Sequence, residues 1–364
     1  MEDNCCRMRK LLGFFVAGAV ALGCRPAVTL DPEGWDPEVY AALETMLSDP
    51  SNRGGYAVFD CDNTSVRHDV THTLTIYLVE NLAFADAAEH CFLDGLPESD
   101  QKFAEFGITA REMGEELRDE WRELKRMQED GKTLDEIHET QLYLDFRARF
   151  IAFYNGLDDI YDYGELCDWE PALLARADSA EAVSIARESL RYWLSQGREC
   201  KETWTSPDGR YSGTVEKGLI VPQYMKNLYK ALQEADITPY VISASAEWLV
   251  ELLVCDPELG FGIDPARVYG IRIAPGATAL SDSDPQPYKE GKVWCIREKI
   301  APLHGGKDPV LAAGDSNGDV AMLTAWPDLK VGLILDCCRS GPIDSLVHAG
   351  GIYHRQPGSP ESRQ

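Results

Sequence analysis

Residues 56–64 read Tyr56-Ala57-Val58-Phe59-Asp60-Cys61-Asp62-Asn63-Thr64. Four consecutive apolar residues without polar alternation fit a central strand of a parallel sheet, covered on both faces. The run stops at Asp60, so the strand delivers a carboxylate at its carboxyl end, and Asp62 follows two residues on. Neighbours along an extended chain point to opposite sides, which makes Cys61 a spacer and a small core residue. Two carboxylates at this spacing can hold a hard divalent ion through oxygen. A turn rich in Asp and Asn has the same composition, so the motif needs company before it means chemistry.

Upstream, residues 29–52 are polar and turn-rich, with one helical pattern over Glu38–Leu47. Downstream, the pattern from Thr73 to Gln196 is almost wholly helical, with long charged amphipathic stretches at Glu112–Gln128 and Leu134–Tyr154. Further strand patterns follow at Pro239–Ile242, Arg267–Ile273, Pro309–Ala313 and Leu329–Leu335. Helical patterns lie between them at Tyr224–Ala235, Glu247–Val254, Val293–Leu303 and Asp319–Leu323. Alternating strands and helices predict an α/β fold, a Rossmann-like parallel sheet core over 25–72 and 216–364. A large α-helical cap, residues 73–215, is inserted after the first core strand. The tail from Gln356 to Gln364 reads as disordered.

Ligands of open parallel sheets lie beyond the carboxyl ends of the strands. There this reading gathers Asp60 and Asp62, Ser243 from Val241-Ile242-Ser243-Ala244-Ser245, and Asp315 from Gly314-Asp315-Ser316-Asn317-Gly318-Asp319. A hydroxyl and backbone amides at Ser243 and Ala244 can hold a phosphate oxygen. Lys292 follows in Tyr288-Lys289-Glu290-Gly291-Lys292, a segment that otherwise reads as solvated surface.

The composition sets limits on partners. Among 364 residues, 35 Lys and Arg face 61 Asp and Glu, a formal net charge of −26. That field repels nucleic-acid backbones, so no nucleic-acid partner is expected, and no protein partner is inferred. It also repels a small phosphorylated substrate, whose site therefore needs a metal ion or well-placed cations. With 44% hydrophobic and 26% charged residues the chain can bury a full core.

At the amino terminus, Arg7, Arg9 and Lys10 precede an apolar run from Leu11 to Leu22, a signal-peptide layout over residues 1–24 that is too short for a transmembrane helix. Val20-Ala21-Leu22-Gly23-Cys24 resembles the lipobox of bacterial lipoproteins, which implies membrane attachment through a lipidated Cys24. A plain cleaved signal would instead give a periplasmic or extracellular protein. The 11 cysteines include no CxxC pair and read mainly as small buried hydrophobes, so no structural zinc site is expected.

DxDxT at Asp60–Thr64, the strand-end Ser243, Lys292 and the late GDxxxD at Gly314–Asp319 occur in one order. Together they resemble the four motifs of the haloacid dehalogenase superfamily of phosphatases. The resemblance covers about Gly55–Val70 and Leu219–Leu335, and the position of the insertion matches the superfamily's helical cap class. The long cap, the Ser-Ala-Ser form and the export signal most resemble phosphoserine-phosphatase-like hydrolases, among them bacterial phosphorylcholine phosphatases. The resemblance implies Asp60 as nucleophile and Asp62 as general acid and then base. It further implies Mg2+ held by Asp60, by the backbone carbonyl of Asp62 and by Asp315, with Lys292 offsetting the charge of a phosphate beside Asp60. Ser243 and Ala244 would bind a phosphoryl oxygen. Thr64 would brace the loop or Asp62, and Asp319 would orient Lys292 or a metal-bound water. Asn317 departs from the usual form and is left unassigned.

The implied substrate is a small phosphomonoester such as phosphocholine, phosphoethanolamine or phosphoserine. The alternatives are a broad-specificity exported acid phosphatase and a non-catalytic ligand-binding lipoprotein. Asp69, at the cap junction, is a candidate substrate contact. His68 and His72 stand four apart, as in zinc-binding helices, but lack the intervening glutamate, which favours a substrate or hinge role or plain solvation. Trp121, Tyr154, Tyr161, Tyr163, Trp169, Tyr192, Trp193 and Trp204 offer rings for a quaternary-ammonium cage. They serve equally well as helix-packing core.

Overall fold

The structure, a computed structural model, describes residues 28–84, 92–93, 95–174, 179–277, 279–281, 283–336 and 340–358. The signal-like segment with Cys24 lies outside them, as do Cys91, Cys337 and Cys338. Strand β1 is Tyr56–Phe59, with every residue buried. The insertion carries β2, Cys200–Thr205, and β3, Ser212–Lys217; the core continues with β4, Thr238–Ala246, β5, Val268–Ile271, β6, Leu311–Gly314, β7, Val331–Asp336, and β8, Tyr353–Pro357. The core sheet is ordered β5-β4-β1-β6-β7-β8. All five of its pairings are parallel, with Phe59 opposite Val241 on one side and Ala313 on the other. The α/β class and the Rossmann-like sheet core are as the sequence predicts.

The apolar run of β1 serves two cores. Ala57 and Phe59 join a layer with Val39, Leu43, Met225 and Leu228, from helices Pro37–Ser48 and Gln223–Glu234. Tyr56 and Val58 pack on the opposite face with Ile296, Ile300, Met322 and Leu323. Burying one such side chain contributes roughly 1.5–3 kcal/mol, which explains why no polar residue interrupts the run. From β1 the order runs one way through β4 to β5 and the other way through β6 to β8. The carboxyl ends of β1, β4 and β6 therefore meet at a topological switch point, the usual place for a ligand.

Between β1 and β4 lie helices Val70–Asn81, Ala110–Glu129, Leu134–His138, Gln141–Gly156, Tyr163–Trp169 and Ser179–Gln196. Thr109, Thr133 and Asp162 close capping boxes at three of their starts, each accepting from the backbone three residues on. The two segments linking this insertion to the sheet touch each other: Arg67 N donates to Ile220 O at 2.8 Å and Ile220 N to Arg67 O at 3.3 Å.

Three elements differ from the sequence reading. The β2–β3 hairpin is antiparallel, ends beyond residue 215, and packs on helix Gln141–Gly156, so the insertion is not helical throughout. Each of its strands buries a single residue, Trp204 and Val215, so there was no apolar alternation to read. Its turn, Ser206-Pro207-Asp208-Gly209, was the available signal. Helix Pro342–Ala349 and β8 lie beyond the last element that the sequence pattern predicts, and β8 takes in Gln356 and Pro357 from the tail expected to be disordered. Gln356 is buried and donates through Nε2 to Gly34 O at 2.9 Å; residues 359–364 of that tail lie outside the described residues.

Among the described residues no helix is long and apolar enough to cross a membrane. The described cysteines Cys61, Cys167, Cys200, Cys255 and Cys295 are free thiols.

Candidate active site

Asp60 leaves β1 with its N–H donating to Ala313 O at 2.9 Å, so the edge of β6 fixes its backbone. The chain then turns tightly through 61–65 with Asn63 in the left-handed region at φ 56°. Ser65 Oγ donates to Asp60 O at 2.6 Å and lies 2.8 Å from Tyr229 Oη, which pins the turn to the helix below. Cys61 is fully buried in the same core layer as Phe59, as the alternation predicts.

The two carboxylates sit in different surroundings. Asp60 Oδ1 is 2.6 Å from Lys292 Nζ, and that ammonium is also 2.6 Å from Asp319 Oδ1. All three side chains are nearly or wholly buried. Burial, then Asp319, raises the Asp60 pKa to about 6 against the opposing pull of Lys292. Among the described residues no cation pairs with Asp62. Its Oδ1 accepts from Val70 N at 2.8 Å, and its Oδ2 accepts from Ser245 Oγ at 2.8 Å and Ser243 Oγ at 3.2 Å. Burial, then Asp69 and Asp60, pushes its pKa well above the ordinary carboxylate range. Side by side, one acid is paired with a cation and the other is held toward its neutral form, the division that acid and nucleophile require.

Lys292 is positioned by helix Glu290–Cys295 and Asp319 by the turn after β6. Asp319 Oδ2 accepts from Asp315 N, Ser316 N and Ser316 Oγ, each at 3.1 Å. A Cβ at Gly314 would lie 2.4 Å from Asp319 Cβ, so glycine there is what lets Asp319 fold back beneath the strand end. Thr64 Oγ1 lies 3.4 Å from both Asp60 Oδ2 and Asp315 Oδ1 and braces those two acids, where the sequence reading gave it the loop or Asp62. Asp60, Asp315 and Asp319 offer oxygens within 4.8 Å of one another. An all-carboxylate donor set suits a hard cation such as Mg2+ rather than zinc or copper. Asp319 is already committed to Lys292 and the turn, which leaves Asp60 and Asp315 as the members that face the cavity.

A cavity of about 460 Å³ opens above these residues. Asp60, Asp62, Lys292 and Asp315 form its floor, with Ala244 and Ser245 at one side. Ser243 is fully buried behind them and its hydroxyl is given to Asp62. Strand β4 shifts register against β5 between Ile242 and Ala246. Ser243 and Ser245, two apart, share a face at this irregularity and both reach Asp62. Ser245, unassigned from the sequence, is thus the hydroxyl of the pair that lines the cavity. The repeated serine two residues on was the signal that could have found it.

Asp69 lines the cavity but also caps helix Val70–Asn81, its Oδ1 accepting from Thr71 N at 2.7 Å and His72 N at 2.8 Å. His68 precedes that helix at φ 68°, so His68 and His72 do not share a helical face and the zinc-type spacing is only apparent. His68 instead lies 3.6 Å from Glu199, beside the link where the insertion leaves the sheet. Asn317 receives a place: its Nδ2 donates to Ser340 O at 2.9 Å and its Oδ1 accepts from Ile343 N at 3.0 Å, clamping the following loop.

Of the aromatic residues in the insertion, Tyr154, Tyr163 and Trp169 reach the cavity. Trp121, Tyr161, Trp193 and Trp204 are buried in helix packing, and Tyr192 is on the surface. Asp158 and Glu170 stand on the same wall. Tyr154 Oη donates to Glu170 Oε1, and burial, then Asp69, raises the Glu170 pKa to about 8.

No protein-family profile matches the chain. It is 25% identical over 299 residues to the phosphorylcholine phosphatase of Pseudomonas aeruginosa, an alignment covering 82% of this chain and 68% of that protein. The crystal structure of a conserved functionally unknown protein from Anaerococcus prevotii superposes with a TM-score of 0.78 at 23% identity, over 91% of this chain and 97% of that one. The second likeness bears on the fold alone.

Proposed function

We propose that this chain is a phosphoric monoester hydrolase of the haloacid dehalogenase type, acting on small phosphomonoesters with a cationic leaving group, such as phosphocholine or phosphoethanolamine. The observation that carries the reading is the division between Asp60, paired with Lys292, and Asp62, held toward its neutral form by burial. Similarity to a phosphorylcholine phosphatase supports it. In the first step an Asp60 oxygen attacks phosphorus and the ester P–O bond breaks. Asp62 gives its proton to the departing oxygen, leaving an alcohol and an aspartyl-phosphate. In the second, the Asp62 carboxylate takes a proton from water as that water attacks phosphorus, which releases inorganic phosphate and restores Asp60. Lys292 is the built-in cation that offsets charge at the nucleophile, and Asp319 holds it there. Asp60, Asp315 and the Asp62 carbonyl would hold Mg2+, which supplies further positive charge against the phosphoryl oxygens.

The cap-side wall supports the substrate class. Three rings with Asp69, Asp158 and Glu170 can receive a quaternary ammonium, for which each cation–π contact offers roughly 0.5–2 kcal/mol. Phosphate release by the protein without residues 1–24, in magnesium and in EDTA, tests the reading. The panel is phosphocholine, phosphoethanolamine, phosphoserine, a sugar phosphate, a nucleotide and p-nitrophenyl phosphate. Preference for the cationic esters and loss in EDTA are expected. Equal cleavage of all would identify a broad scavenging phosphatase, and no cleavage by folded protein would turn the reading to a binding lipoprotein.

Glu170 gives a pH signature. Folded, this carboxyl stays protonated up to about pH 8, whereas the unfolded chain ionises it in the usual carboxylate range. Stability contributed by its protonated form is therefore present at low pH and lost as pH rises through 8. A cation bound beside it favours the ionised form, so inhibition by choline should tighten about tenfold from about pH 7 to about pH 9. Glu170→Gln should abolish that slope; a slope that survives the substitution would remove Glu170 from the cation site.

Export with lipidation of Cys24 belongs to the same proposal. Cys24→Ala should move the full-length protein from the detergent phase to the aqueous phase, and unchanged partitioning would count against the anchor.

A further inference from the structure

Lys289 stands at the cavity mouth, three residues before Lys292, with φ 50° and ψ −123°. Glycine adopts such a backbone readily and an L side chain rarely, so a lysine kept there against strain points to use of the side chain. Its Nζ lies 5.4 Å from the ring centroid of Tyr163, and it makes no ion pair with any described residue. Lys292, the other cation of the lining, is shared between Asp60 and Asp319. Asp60, Asp62, Asp69, Asp158, Glu170 and Asp315 line the same space. A phosphate dianion approaching this cavity therefore meets an acid-rich lining, even with Asp62 and Glu170 held toward their neutral forms, and of the two lysines that line it Lys289 is the one not paired with a carboxylate of any described residue.

The contact with Tyr163 joins two parts of the fold. Tyr163 begins cap helix Tyr163–Trp169, and its ring meets Tyr288 of the core edge-on with centroids 5.8 Å apart. A Cβ at Gly164 would lie 2.5 Å from Tyr288 Oη, so the glycine lets the cap helix seat on that tyrosine. Tyr163 is exposed at the mouth, and its ring also lines the cavity. The ring under Lys289 thus belongs to both the rim and the wall of the cavity.

Resting on the phosphomonoesterase reading, we propose that Lys289 is a substrate-capturing residue. Its ammonium, held over Tyr163 at the seam of cap and core, draws the phosphate of the ester past the acidic rim toward Asp60. The step is electrostatic and changes no covalent bond.

Lys289→Gly removes the charge and the backbone strain together, so charge and fold separate in one variant. In magnesium buffer with p-nitrophenyl phosphate, kcat/KM should fall about tenfold or more through KM, with flattened salt dependence and an unchanged or higher Tm. Lys289→Arg should restore most of the loss. Wild-type kcat/KM and salt slope in Lys289→Gly would overturn the proposal, as would a loss that Lys289→Arg repeats in full. Inorganic phosphate titrated calorimetrically into both proteins reads the same ammonium without turnover. Affinity about tenfold weaker in Lys289→Gly is expected; equal affinity, or no phosphate binding by either protein, overturns the proposal. Wild type that binds phosphate through Lys289 and cleaves no ester would instead overturn the phosphatase reading alone.

Discussion

Asp60→Asn is expected to lower phosphate release by about 10⁴-fold or more, with circular dichroism and melting behaviour like the wild type's. The substitution keeps the shape of the side chain and an oxygen that can accept from Lys292, 2.6 Å away, while removing the carboxylate proposed to attack phosphorus. Lys292 keeps Asp319 as its counter-charge, so no buried ammonium is left unpaired. A folded Asp60→Asn protein that turns over at an appreciable fraction of the wild-type rate would eliminate the proposed mechanism. Asparagine deamidation regenerates aspartate, so mass spectrometry of the 60–64 peptide has to accompany the assay.

Lys292→Met acts on stability and chemistry together. It strips the cation from between Asp60 and Asp319, both buried, and leaves carboxylates that repel each other out of reach of water. Removing one partner of a buried ion pair costs about 3–5 kcal/mol, so denaturant titration should show a large loss of stability alongside loss of phosphate release. Adding Asp319→Asn to Lys292→Met removes one of the stranded charges. The double variant should regain part of the stability and none of the activity. Recovery of both would mean that Lys292 serves the fold alone; recovery of neither would mean that the repulsion is not what destabilises the single variant.

The sheet and the floor of the site were legible because local patterns there coincide with tertiary demands. The run Tyr56–Phe59 has to be apolar on both faces, and the acids at Asp60 and Asp315 have to follow strands directly. Other features depend on partners distant in sequence. The β2–β3 hairpin buries so little of itself that its strands carry no periodicity. Ser243 and Ser245 share a strand face, a repeat visible in the sequence, but their common partner Asp62 lies 181 and 183 residues away and is not. The cavity wall of Tyr154, Tyr163 and Trp169 selects three of eight candidate rings by how helices cross, which composition does not encode. The strained backbone of Lys289 has no sequence signal, since a lysine before a helix usually reads as surface.

The claim on which the rest depends is that phosphorus passes through Asp60. Enzyme mixed with an excess of phosphocholine in magnesium, quenched during turnover and treated with borohydride, would have any aspartyl-phosphate reduced to homoserine, and peptide mass spectrometry would locate it. Homoserine at position 60, dependent on substrate and missing from Asp60→Asn, is the expected result. Reduction at Asp62 or Asp315 instead, or turnover with no reduced residue at all, would contradict the account.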